Sequence, residues 1–312
     1  MTLSDSSSPA MAPASAERPP KTVSPMAEQM RRLRGNRNAM IGGGLLCLVL
    51  ALALIGPLLT PHDPYVQNLT ARRIPPVWFD WLGWSDKSSW THPLGTDGLG
   101  RDYLARLLYG ARISILIGLT ATLVSGVIGT VLGLLGGYFG GRVDMVISFL
   151  ITMRLSLPIS LVALSVVAIF GGALINVVLV LGLLLWDRVA VVVRAATQQV
   201  RELDYVSSAW AVGFGHGYIL FREVLPNVIN PLLVVLTIEM SHAILLEAGL
   251  SFLGMGVQAP MPSWGLMLSE AKSEIFFNAW MVTLPGLAIF SLVLSINLLG
   301  DGLRDVLTPE GR

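Results

Sequence analysis

Four ionisable side chains stand inside otherwise apolar runs: Arg154, Glu239, His242 and Glu247. A charge at the centre of a bilayer costs about 2.5–3.5 kcal/mol on insertion scales, so such groups face protein or a water-filled path. The chemistry open to them is charge recognition, or proton and ion coupling. At 100° per residue, Glu239, His242 and Glu247 fall within an arc of roughly 140°, so one helix face can carry all three. Pro158 lies four residues after Arg154 and cannot donate to its carbonyl, which leaves that acceptor free as well. Two readings stand. Either Arg154, Pro158, Glu239, His242 and Glu247 line a translocation path, or the acids and the histidine pair with Arg154 and cap their helix near the interface.

A second stretch carries recognition rather than reaction chemistry. Tyr205 to Pro226 reads YVSSAWAVGFGHGYILFREVLP and is too polar and glycine-rich to span lipid, yet it lies between membrane-grade runs. Asp204 to Val212 predicts a short helix, closed by Gly213, where only glycine takes the left-handed conformation without a Cβ penalty. A second short helix is expected from Tyr218 to Val224, halted near Pro226. Such a helix–glycine–helix knuckle is suited to docking a partner outside the bilayer. Its exposed set is Tyr205, Ser207, Ser208, Ala209, Trp210, Ala211, Gly213, Leu225 and Pro226.

Catalytic constellations are missing. There is no GxxxxGK[ST] loop and no Gly-Lys dipeptide, so nucleotide hydrolysis by this chain is not expected. HExxH and G-x-S-x-G are absent too. His62, His92, His216 and His242 are scattered, and their spacing defines no metal site. His216, in a glycine-rich turn, is expected to face solvent. Cys47 is the only cysteine and sits in an apolar run, which excludes an intramolecular disulfide. No bound cofactor is expected.

Composition sets the class. The chain is 53% hydrophobic and only 13% charged, with a mean hydropathy of +0.67, where soluble domains average about 25% charged. A net charge of +1 gives no general attraction to nucleic acid. The expected architecture is an all-α polytopic membrane protein with six spanning helices.

The elements follow in order. Residues 1–38 read as a disordered cytoplasmic tail, rich in Ser, Pro and Ala and closed by Arg31, Arg32, Arg34 and Arg37. Residues 39–60 form the first span, a retained signal anchor about as long as the roughly 20 residues a crossing needs. Residues 61–112 form an extracytoplasmic Pro- and Trp-rich segment. Its Trp78, Trp81, Trp84 and Trp90 suit either an interfacial belt or local loop packing. Its Asp102 and Arg106 stand at a stabilising four-residue spacing.

Residues 113–300 hold a five-helix core with a cytoplasmic loop at 201–227, and 301–312 form a cytoplasmic tail. The spans are expected at Ile113–Leu135, Met145–Phe170, Ala173–Trp186 with an extension toward Val193, Val228–Leu250 and Ala279–Leu299. Ala121, Ser125, Gly129, Gly133 and Gly137 recur every four residues and predict a close helix–helix seam. Six crossings put both ends on one side. Arg188, Arg194, Arg201, Arg222 and Arg304 fall with the N-terminal arginines inside. Arg72, Arg73, Lys87, Arg101, Arg106, Arg112 and Lys272 fall outside, a bias toward positive-inside.

Three ordered blocks carry a resemblance. Ser207, Ser208, Ala209, Gly213 and Leu225-Pro226 fall at the Glu-Ala-Ala, glycine and Leu-Pro positions of the "EAA" loop of ABC importer permeases. HPLGTDGLGRD followed by GARIS, residues 92–114, is similar to the stretch before the second span of dipeptide, oligopeptide and nickel permeases. So is LSFLGMGVQAPMPSWGLMLSEA, residues 250–271. Together they cover roughly residues 92–307. The chain departs from the pattern at Ser207, at Phe149 and Thr152 in the third span, and at Val191 after the fourth.

The resemblance implies an inner-membrane permease with an ABC type I importer fold. It implies a heterodimer with a second such permease, two cytoplasmic ATPases that use ATP and Mg, and an extracytoplasmic solute-binding protein. The knuckle would then be a coupling helix seated in the ATPase. A self-sufficient secondary transporter or channel using Arg154, Glu239, His242 and Glu247 is the alternative, though no inverted repeat is visible.

Overall fold

The computed structural model describes residues 31 and 33–307. The tail expected over residues 1–38 lies largely outside the described residues, as does 308–312. Among the described residues every named element is helical, and the one β contact is an isolated bridge between Thr96 and Asp102.

Five helices are long and apolar enough to cross a membrane: Arg37–Leu59, Tyr103–Phe139, Leu174–Arg201, His216–Phe252 and Trp280–Leu307. We label Arg37–Leu59 α1, Tyr103–Phe139 α2, Gly141–Leu155 α3, Ile159–Phe170 α4, Leu174–Leu184 α5, Trp186–Arg201 α6, Asp204–Val212 α7, Leu225–Phe252 α8, Trp264–Glu270 α9 and Trp280–Leu307 α10. A sixth crossing exists only if α3 and α4, bent by 83°, are counted as one broken span.

Caps set where the first two spans begin. Asn36 accepts from the Ala39 amide at 3.1 Å to open α1. Asp102 does the same for α2 through Ala105 at 2.7 Å. The small-residue seam of α2 packs against α6. A Cβ on Gly129 would lie 2.6 Å from Val189 Cβ, on Gly133 2.7 Å from Val193 Cβ, and on Gly137 2.6 Å from Thr197 Cβ. Lipid offers no hydrophobic drive to associate helices, so this contact is bought by small residues that let backbones approach.

Several boundaries differ from the sequence reading, each for a local reason. The third span is not one helix to Phe170. Pro158 has no N–H and disfavours helical geometry at Leu157, so the chain leaves α3 at Ser156 and restarts at Ile159. The carbonyl of Arg154 is not left free either, because the Leu157 amide reaches it at 3.2 Å. The fourth span continues through α6 to Arg201, which moves Arg188 into the bundle.

The second short helix does not stop at Pro226. It runs on through a π-helical stretch, Ile219–Val224, into α8, where the Leu225 amide reaches back to Leu220 and Pro226 falls in the first turn. The π turn supplies the extra residue that lets a donor-less proline enter a continuing helix. Residues 301–307 are also helical, as the last turns of α10.

The segment between α1 and α2 folds onto the end of the bundle. Asp102 and Arg106 do not pair: Asp102 caps α2, while Arg106, fully buried, donates to Glu270 at 2.6 Å. Arg101 joins Asp97 (2.6 Å) to the same Glu270 (2.9 Å), so a charge network buried at Asp97, Arg101 and Arg106 and open at Glu270 ties this segment to α9. Trp81, Trp84 and Trp90 are exposed yet also pack locally, Trp81 on Trp90 at 5.9 Å and Trp84 on Phe79 at 5.2 Å, whereas Trp78 packs on the core. Trp264 is buried and donates its indole N–H to Leu107 O at 2.8 Å.

Candidate functional site

Two places in the fold hold the chemistry-bearing residues. The first is the knuckle after α6. Helix α7 ends at Gly213, whose φ of 93° is left-handed, and the Phe214 amide closes the motif on Ala209 O at 3.2 Å. Val206, Ala209, Ile219, Val224 and Val228 face inward onto Leu134, Tyr138, Val189 and Val193. That inner face anchors the knuckle to α2 and α6.

The outer face is apolar and exposed. Tyr205, Ser207, Ser208, Trp210, Ala211, Val212 (75% exposed) and Phe214 all face away from the bundle, and Pro226 is exposed as well. Ala209 is buried and Leu225 half-buried, so these two support the knuckle rather than present a surface. Aromatic contacts stiffen it: Trp210 meets His216 edge-on at 4.6 Å, and Phe214 stacks on Tyr218 at 4.3 Å. His216 is exposed, as expected, but its Nδ1 is also within 3.3 Å of the Tyr138 hydroxyl. Burial raises the Tyr205 hydroxyl above its ordinary pKa, with the Glu223 charge adding to the effect. Tyr205 therefore stays a neutral hydrogen-bonding phenol.

The second place is a cavity of about 340 Å³ where α3, α4, α6 and α8 meet, lined by Arg154, Asp187, Arg188 and His242 among leucines. Its size is that of a small-ligand site. Arg154 reaches across to the Leu184 carbonyl at the break between α5 and α6. Arg188 donates to His242 Nδ1 at 2.8 Å and lies 3.8 Å from Glu239 Oε1. His242 stands 3.5 Å from the same oxygen. Glu239 is fully buried, and neither carboxylate oxygen has a hydrogen-bond partner.

The structure divides the set expected from sequence. Arg154 and His242 line the cavity, and Glu239 lies behind His242. Pro158 causes the bend beside it. Glu247 is elsewhere: it accepts from Ser251 (2.7 Å) and Ser263 (3.2 Å), and Ser263 also caps α9. It therefore latches the segment after α8 back onto that helix. The acids do not pair with Arg154. The cation nearest Glu239 is Arg188, which the sequence reading placed on the flank because the apolar run ends at Trp186. The apolar residues Val189–Val193 were the signal that the helix continues.

Long apolar helices, a broken crossing and charged groups among them mark a polytopic membrane protein. Residues 129–311 match the family model "Binding-protein-dependent transport system inner membrane component", and residues 24–76 match the "N-terminal TM domain of oligopeptide transport permease C". The chain is 40% identical to the dipeptide transport system permease protein DppC of Haemophilus influenzae, over 93% of this chain and 96% of that one. It is 40% identical to the di/tripeptide transport system permease protein DppC of Pseudomonas aeruginosa, over 92% and 93%. Its fold is similar to the MetNI methionine ABC transporter, with a TM-score of 0.53 at 18% identity, over 64% of this chain and 96% of that one.

The chain belongs to the binding-protein-dependent transport system inner membrane component family. It is a multi-pass permease subunit of an ABC importer, a transport subunit and not an enzyme.

Proposed function

We propose that this chain is one of two membrane subunits of an ATP-driven importer of short peptides, seated in a bacterial inner membrane with both termini cytoplasmic. The 40% identity to dipeptide permeases across nearly the whole chain carries the substrate class. Nickel, the other cargo of the wider group, has no comparable support among the relatives compared.

The partners are a second, homologous permease, two cytoplasmic ATPase subunits and an extracytoplasmic solute-binding protein. ATP and its Mg are bound by the ATPases. The exposed α7–Gly213 knuckle is the docking element. It offers Tyr205, Ser207, Ser208, Trp210 and Ala211 on a stiff aromatic base, and its inner face rests on α2 and α6. Force applied there on ATP-driven closure would reach the two helices that frame the bundle, the kind of rigid coupling an alternating-access switch needs.

The cavity between Arg154 and Arg188 is the proposed path. Two guanidinium groups suit a peptide carboxylate, and Asp187 keeps the lining from being purely cationic, with Glu239 buried behind Arg188 and His242. The alternative of a self-sufficient carrier using Arg154, Glu239, His242 and Glu247 would have to work with Glu247 held apart from the other three by Ser251 and Ser263.

Mild-detergent purification from the native membrane tests the assembly. Recovery of a second permease and of ATPases, lost on Gly213→Leu, is the expected result. Recovery of the chain alone, with uptake indifferent to ATP, would overturn the reading.

A further inference from the structure

Outside both places, three metal-ligating side chains from separate segments converge at the end of the bundle that carries residues 60–102. His62 lies just past the end of α1, His92 lies in the following segment, and Asp102 caps α2. His92 Nδ1 is 2.7 Å from Asp102 Oδ2, and His62 Nδ1 is 3.8 Å from the same oxygen. The two imidazole rings stand 4.7 Å apart at 40°. One ligand atom from each residue falls within a span of 4.8 Å.

We propose that His62, His92 and Asp102 form a binding site for a borderline divalent transition ion of the Zn²⁺ type. Two imidazoles direct Nδ1 at one carboxylate oxygen, but only His92 is within hydrogen-bonding distance of it. The His62 nitrogen is too far to bond and too close to be unrelated. An ion between the three accepts a lone pair from each. With metal–ligand bonds of about 2.0–2.2 Å, tetrahedral neighbours lie about 3.3 Å apart. His92 and Asp102 would open by roughly half an ångström from 2.7 Å, His62 would close on Asp102 by a similar amount from 3.8 Å, and the two imidazoles would draw together to bring the 4.8 Å span of ligand atoms into one shell.

The support behind the ligands is already built. Asp102 Oδ1 accepts from the Ala105 amide at 2.7 Å, which fixes the carboxylate and leaves Oδ2 free to ligate. The His92 amide donates to Ser89 O at 3.0 Å, and its carbonyl accepts from Gly95 at 2.8 Å, so the backbone on both sides is held. Asp102 is 3% exposed, His92 16% and His62 31%, so the site is closed at Asp102 and most open past His62. The open side leaves a coordination position for water.

Donor chemistry selects the ion. Two imidazoles and one carboxylate suit Zn²⁺ and its neighbours, whereas Ca²⁺ and Mg²⁺ require oxygen shells. This site shares no residue with the charged cavity, so the ion is a clamp and not cargo in transit. It would join the exit of α1, the intervening segment and the start of α2.

The test uses the full chain, tag-free and chelator-stripped, in lipid nanodiscs, titrated calorimetrically with ZnCl₂ alone. One ion per chain with micromolar or tighter affinity is expected. His62→Ala should weaken binding at least tenfold, and His92→Ala should do the same. Asp102→Asn, which keeps a good helix cap, should also weaken it. His216→Ala and His242→Ala should leave it unchanged. His62 is the safe variant, since it is partly exposed and makes no hydrogen bond within this cluster. X-ray absorption on the Zn²⁺-loaded wild type reads the ligands without any substitution, and two imidazole scatterers near 2.0 Å are expected. Substoichiometric binding, binding that survives His62→Ala and His92→Ala together, or a shell without imidazole would overturn the proposal.

Discussion

Arg188 holds a guanidinium nitrogen 3.8 Å from Oε1 of Glu239, joining α6 to α8 at a carboxylate that is fully buried and otherwise without a hydrogen bond. The pair is asymmetric. Arg188 is 55% exposed and faces the cavity, while Glu239 is closed off behind it. Removing the cation strands a buried charge, the costly way to break such a pair. Removing the anion by Glu239→Gln keeps the shape and the packing.

A mutant cycle follows from that asymmetry. Arg188→Ala should lower the melting temperature of the purified chain and abolish uptake. Glu239→Gln should fold as wild type and lower uptake. The double variant should recover most of the stability lost in Arg188→Ala, with a coupling energy of about 0.5–3 kcal/mol. Additive losses would show that the two residues act independently.

Gly213 separates docking from folding. A Cβ there meets nothing within 4 Å, so Gly213→Leu creates no clash. The strain comes from φ 93°, a left-handed geometry that costs a β-carbon residue about 1–2 kcal/mol. Membrane levels of Gly213→Leu should match wild type while uptake falls at least tenfold. Gly213→Asn should retain most activity, because asparagine tolerates that conformation. Equal uptake in the leucine variant would remove the knuckle from the transport cycle.

Local signals were legible where one short stretch determined the outcome. The α7 boundaries and the left-handed turn at Gly213 follow from a short stretch of small residues closed by a glycine, and the seam at Gly129, Gly133 and Gly137 follows from a four-residue period. What composition and spacing could not show were partners far apart in the chain. Arg188 meets His242 across 54 positions, and Arg106 meets Glu270 across 164. His62 and His92 converge through a segment with almost no regular structure. The proline positions misled in both directions: Pro158 splits a span expected to be whole, while Pro226 is absorbed by a π turn where a stop was expected. Proline forbids a donor, but the surrounding packing decides whether the chain bends or rewinds.

The segment between α1 and α2 is strapped to the segment after α9 by Glu274, and that strap is sensitive to acid. Glu274 accepts from Asn278 at 2.9 Å and from Arg73 Nε at 2.9 Å. The Asn278 bond first, and the Arg73 contacts after it, hold its carboxyl below the ordinary Glu value despite an opposing effect of burial. A depressed folded pKa stabilises the fold above the unfolded value of about 4.3, and that contribution is lost as pH falls through the lower folded value. Amide protection around Arg73, measured relative to the intrinsic exchange rate at each pH, should therefore fall on acidification below about pH 4 in the wild type. In Glu274→Gln it should be low already at neutral pH. A wild-type profile identical to that of Glu274→Gln would show that the carboxylate does not hold the strap.

The α2–α6 seam sets the sharpest test of the packing. A Cβ on Gly133 would lie 2.7 Å from Val193 Cβ and 2.9 Å from the Ala190 carbonyl, atoms of a β-branched side chain and of backbone that cannot swing aside. Gly133→Leu must therefore push α6 outward, and with it Val193 and the base of the knuckle. Gly44 in α1 offers the control, because a Cβ there meets nothing within 4 Å. Both substitutions add the same apolar volume and differ only in what stands opposite. In size-exclusion of a fluorescent fusion after graded heating, Gly44→Leu should melt with the wild type. Gly133→Leu should lose its monodisperse peak about 2–12 °C earlier, since overpacking a tight contact costs about 1–3 kcal/mol and about 1 kcal/mol moves a domain of 150–250 residues by roughly 2–4 °C. Equal melting of the two variants would mean that α2 and α6 are not held at the distance described, and that the knuckle must be anchored by other contacts.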